Sequence, residues 1–115
     1  MNIKRYIDMM VKKSVHRAFR DEDAVKWQYK LTDNLHEVGE ILRMPVLGKL
    51  ASTFSRRLFN VWDNRERYSA TLGSLKQHLL KVLKNKDPKY MREFNYLIGQ
   101  VSRAHELEMM SKKDI

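Results

Sequence analysis

The chain holds few side chains in the arrangements that catalysis uses. Its four histidines, His16, His36, His78 and His105, stand far apart, and none has the i, i+3 or i, i+4 partner of a metal site on a helix. In His36-Glu37 and His105-Glu106 the two residues are neighbours in sequence and point to different faces of a helix. Cysteine is absent, which excludes a thiolate nucleophile, an iron–sulfur ligand, a disulfide framework and a Cys-type zinc site. The glycines, at 39, 48, 73 and 99 only, are too scattered for a phosphate-cradling loop, and no serine elbow is present. The carboxylates of Asp21, Glu22, Asp23, Asp33, Glu37 and Glu40 read better as helix caps and solvated faces than as acid/base pairs. The expectation is a protein that is not an enzyme and takes no metal or cofactor.

Cations give the stronger signal. The formal charge of +9 is segregated: residues 1–20 carry net +5, residues 21–45 net −3, residues 46–86 net +7, and residues 87–115 zero. Such blocks suit a surface made for an anionic partner, unless folding mixes them. On the first segment the arc opposite the apolar stripe holds Arg5, Lys12, Lys13, His16, Arg17 and Arg20, interleaved with Tyr6, Met9 and Phe19. The cations suit phosphates, and the aromatic rings suit bases or a protein pocket. Equally, Tyr6 and Phe19 sit at the stripe's edges, where neighbouring helices would cover them.

In the middle of the chain Lys49, Ser52, Arg56 and Asn60 share a polar side with Phe59, and Arg57 flanks the core stripe. Arg65 and Arg67 follow, then Lys76, Lys81, Lys84 and Lys86. If the helices carrying them lie side by side, these residues form one phosphate-binding strip. Residues 48–58, GKLASTFSRRL, resemble the turn and recognition helix of a helix-turn-helix, with Gly48 in the turn and Ser52, Thr53, Ser55 and Arg56 facing a groove. They depart from that pattern at Pro45, Arg43 and Met44, where a preceding helix would need a regular backbone and small apolar side chains. Of the seven methionines, Met109 and Met110 fall beyond the last apolar stripe, which points to exposure or to a partner protein covering them.

The elements that must position these residues are helical. β-branched residues never alternate, and the two prolines stand only at 45 and 88. Five segments each show one apolar stripe at helical spacing. The first, about 2–20, aligns Ile3, Ile7, Met10, Val11, Val15 and Ala18. Asp21, Glu22 and Asp23 then suit the N-terminus of a second helix, about 22–43, whose end Pro45 marks. A third runs over about 46–62, and Asp63-Asn64-Arg65-Glu66 resembles a capping box opening a fourth. Asp87-Pro88 opens a fifth, whose stripe Glu108 ends, with residues 110–115 as a frayed tail. The fold class is therefore all-α: a compact bundle or orthogonal domain of about five amphipathic helices, with 1–115 as a single domain.

Two functions follow. One is a basic accessory protein that binds DNA or RNA through phosphate contacts. The alternative is a small adaptor or inhibitor, of the kind common in viruses and mobile elements, docking on an acidic protein or nucleoprotein. Dimerisation stays open, and membrane-surface binding by the first helix ranks third. No apolar run approaches the roughly 20 residues that span a bilayer. The lack of cysteine fits the reducing cytoplasm, while the amphipathic, basic N-terminus also resembles a mitochondrial presequence.

Overall fold

The computed structural model describes residues 3–7 and 23–113. Residues 3–7 are helical, and four long helices follow: α1 (Ala24–Ile41), α2 (Pro45–Asn60), α3 (Arg65–Val82) and α4 (Pro88–Lys113). Helix α1 packs on α2 and α4, and α3 packs on the same two, so the four helices close a ring around one core. Each helix supplies the expected stripe, including Leu31 and Leu35, Leu47 and Phe54, Leu75 and Leu79, and Phe94 and Val101. Among the described residues no helix is long and apolar enough to cross a membrane.

The helix ends explain how the chain turns. Asp23 caps α1 by accepting from the Lys26 amide at 2.9 Å, as its place in the acidic run suggested. A second carboxylate reaches the same end: Glu108 Oε1 accepts from the Ala24 amide at 3.0 Å, tying α4 to the start of α1. At the other end Met44 N donates to Gly39 O and Arg43 N to Glu40 O, the two bonds of a Schellman cap. Arg43 takes the left-handed position at φ 54°, where glycine is usual. The turn is therefore tight enough for Pro45 to open α2 instead of merely ending α1.

That turn corrects the helix-turn-helix resemblance. Gly48 lies inside α2 and the turn is made by residues 42–44, so the glycine plays no turning role. Its smallness serves packing, since a Cβ there would come within 3.3 Å of His36 Nδ1. The cap of α3 also shifts by one residue, because Asn64 rather than Asp63 accepts from the Arg67 amide at 3.0 Å.

Helix α4 continues to Lys113, beyond the expected frayed end at 110. The apolar stripe recurs at Met109, four residues past His105. Met109 is consequently buried within the chain, not offered to a partner, while Met110 is 50% exposed.

Two glycines differ sharply in what surrounds them. A Cβ on Gly39 would meet Leu47 Cβ and Met44 O, each at 3.2 Å, where α1 crosses α2. Gly39→Val is expected to cost about 1–3 kcal/mol through overpacking. Gly73 has open space around it on the exposed face of α3, so Gly73→Ala should add about 0.5–1 kcal/mol. Chemical denaturation of the two variants checks both signs.

A polar knot lies within the apolar core. The Tyr68 hydroxyl donates to Gln28 Oε1 at 2.7 Å, and the Tyr68 ring stacks on His105 with centroids 3.6 Å apart and planes 4° from parallel. His105 Nε2 lies 2.7 Å from the Trp62 carbonyl, a contact that requires this nitrogen to carry the proton. Burial first, and the Glu108 charge second, hold the Tyr68 phenol well above its ordinary value. The folded state thus keeps a proton that the unfolded chain gives up near pH 10. Stability from this group is full below that pH and declines as pH rises above it, by about 1.4 kcal/mol per unit. Tyr68→Phe is expected to remove that part of the alkaline slope, measured by urea unfolding between pH 9 and 11.

Candidate nucleic-acid interface

The cations of the middle block come from two helices that touch. Along α2 the buried residues Leu47, Ala51, Phe54 and Leu58 define the inner side, which turns Lys49, Ser52, Arg56 and Asn60 outward. Along α3 the inner side is Tyr68, Leu72, Leu75 and Leu79, and Arg67, Lys76, Lys81 and Lys84 are all exposed. The seam between the helices is fixed by Phe54. Its ring meets His78 of α3 edge-on at 5.6 Å, and the Arg57 guanidinium lies over it at 5.2 Å. Arg57 therefore emerges at the seam, and its cation faces solvent from above an aromatic ring.

Acid is scarce along these two helices, where Glu66 in the first turn of α3 is the one carboxylate. Residues 41–62 and 67–86 contain no aspartate or glutamate, so neither helix can neutralise itself beyond the cap region. Among the described residues Lys49, Arg56, Arg67, Lys76, Lys81 and Lys84 make no ion pair. Their field is left for an external anion. His78 adds a ring to the seam that residue spacing alone did not single out; its Nδ1 lies 2.8 Å from Ser74 O.

Not every expected contact belongs to this strip. Arg65 pairs with Glu106 of α4, which turns it away from the α2 seam and cancels its charge. Lys76, three helical turns after Arg65, lies on the α4 side as well. Arg57 alone is seen at the α2–α3 seam; by helical spacing Arg67 and Lys81 fall on the side of α3 that carries His78, Lys49 and Arg56 on the outward side of α2, and Lys84 on the outer face of α3. Arg5 and Tyr6 are exposed in the helical segment 3–7. Lys12, Lys13, Arg17, Phe19 and Arg20 lie outside the described residues.

No protein-family model, curated protein or solved structure matches this chain.

Aromatic rings adjoin the strip on its α1 side. Phe59 is 40% exposed, stands 5.7 Å from Trp62 in a near-parallel stack, and 6.2 Å from Tyr29 of α1. Tyr29, 53% exposed, escaped the sequence reading. The available signal was its position off the α1 stripe, since a large aromatic there has no core to enter.

Other recesses have different chemistry. A cavity of about 150 Å³ between α3 and α4 is lined by Arg65, Tyr68, Ser69, Ser102, His105 and Glu106, and the ion pair already satisfies its charges. A wider cleft at the start of α3 mixes Asp63 and Glu66 with Arg65. Among the described residues no three His, Asp or Glu side chains stand close enough to hold a metal ion.

Proposed function

We propose that this protein binds nucleic acid, docking on phosphates through the cationic strip shared by α2 and α3. The observation that carries this reading is the exposure of Lys49, Arg56, Arg57, Arg67 and Lys81 on two touching helices whose one acid is Glu66, in the first turn of α3. Each cation that neutralises a phosphate releases condensed counterions, so affinity comes from salt-sensitive electrostatics and carries little sequence preference. Arginines dominate this set, and their forked guanidinium groups suit phosphate oxygens better than an ammonium does. Ser52 and Asn60 lie on the same exposed side of α2 and supply neutral hydrogen-bonding groups beside the charges.

Binding to labelled DNA and RNA across a salt series tests the reading. The expected result is affinity at near-physiological salt well above that of a protein of equal size and net charge, with log K falling linearly against log salt. A slope of roughly −3 to −5 corresponds to these five cations. Affinity no better than the charge-matched control overturns the proposal.

The exposed acids Asp33, Glu37 and Glu40 of α1 favour the adaptor as the alternative, since a dedicated nucleic-acid binder has no need of a negative face. That alternative requires a stoichiometric protein complex that survives nuclease treatment. The absence of cysteine fits work in a reducing compartment such as the cytoplasm or the mitochondrial matrix.

A further inference from the structure

We infer that the strip's ligand is a single strand rather than a duplex, and that Phe59 is the platform on which one of its bases stacks. The inference rests on the nucleic-acid reading and adds to it the class of ligand. Lys49, Ser52, Arg56 and Phe59 fall within an arc of roughly 80° on α2 at 3.6 residues per turn. All four are exposed, so the ring and the cations present themselves to the same object.

A duplex hides the faces of its bases, and an exposed phenyl ring beside phosphate-binding cations gains little from it. A single strand offers every base as a flat apolar face, and stacking on an aromatic ring then accompanies the phosphate contacts. Isolated exposed apolar residues are ordinary on protein surfaces. Phe59 differs because it is braced. Trp62 stacks near-parallel to it at 19°, Tyr29 flanks it at 52°, and the ring remains 40% exposed. A ring held by two neighbours loses little freedom when a base arrives. On α1, Asp33 follows Tyr29 by one turn and repels phosphate, which keeps the backbone of the strand on the α2 side.

The test uses the full chain, an oligothymidylate of about twenty nucleotides and a duplex of the same length, both followed by fluorescence anisotropy. The single strand is expected to bind at least about tenfold more tightly than the duplex. Phe59→Ala should weaken the single-strand complex about 5- to 100-fold, leaving the duplex complex and the salt slope unchanged, whereas Phe59→Trp retains affinity. Circular dichroism confirms that each variant folds. Phe59→Leu, which keeps apolar bulk and removes the ring, carries the test should the alanine variant lose helix. Equal affinity for both ligands, or indifference to losing the ring, overturns the inference and leaves the phosphate reading standing. Binding of neither ligand above a charge-matched control removes that reading, and this inference with it.

Discussion

Changing Arg56, Arg57, Arg67 and Lys81 to glutamine together is expected to lower the proposed affinity for nucleic acid by about 10²- to 10³-fold at near 0.1 M salt, and to take roughly three units off the salt slope. The size follows from counterion release, because each lost phosphate contact removes most of one unit of slope. The four residues are exposed, and only Arg57 touches a buried side chain, through its contact with the Phe54 ring, so the variant should keep its helical content and most of its resistance to urea. Removing like charges from neighbouring helices relieves mutual repulsion, which offsets the loss of the Arg57 contact with the Phe54 ring. Loss of affinity with an unchanged slope would mean that these side chains act through structure and not through phosphate.

Phe54→Ala carries the largest expected effect on stability, about 3–5 kcal/mol. Phe54 is 2% exposed and fills the space between α2 and α3, touching His78 on one side and lying beneath Arg57 on the other. Truncation leaves a cavity where the two cation-bearing helices meet. A domain of this size holds only about 5–15 kcal/mol in total, so the variant stands near the edge of folding at 37 °C. Measured at low temperature, where it remains folded, it should also bind nucleic acid more weakly than wild type, because Arg57 loses the ring beneath it. A variant as stable as wild type would show that the seam does not depend on this ring.

Much of the fold is legible in residue spacing because each helix has one unbroken apolar stripe. Leu31 with Leu35, Leu47 with Phe54 and Leu58, and Leu72 with Leu75 and Leu79 are all buried as their periodicity requires. Helix ends are legible only in part. Asp23 caps α1 as its type suggests, but the choice of Asn64 over Asp63 depends on which residue the turn after Trp62 brings to the extended backbone. Arg43 in a left-handed cap carries no mark in sequence, since it stands where glycine is normal.

Long-range partners account for the remaining departures. Gln28 lies on the α1 stripe as a polar residue, and its burial makes sense only once Tyr68, forty residues on, supplies a hydroxyl. Arg65 belongs to the net +7 block of residues 46–86, yet its pairing with Glu106 removes it from the proposed interface. Tyr29 and Phe59 become neighbours only through the packing of α1 on α2. By contrast, the outward arc of Lys49, Ser52 and Arg56 was readable from helical spacing, because the opposite side of the same helix is wholly apolar.

The central claim is that charge works here by location, not by total. It is tested by comparing two triple variants of equal net charge in a salt titration with one oligonucleotide. One replaces Arg56, Arg57 and Arg67 on α2 and α3 by glutamine, and the other replaces Lys89, Arg92 and Arg103, which are exposed on α4. The account predicts that the α2–α3 variant loses roughly two to three units of slope while the α4 variant stays close to wild type. Equal losses in the two variants would contradict it, since the protein would then bind through its overall charge.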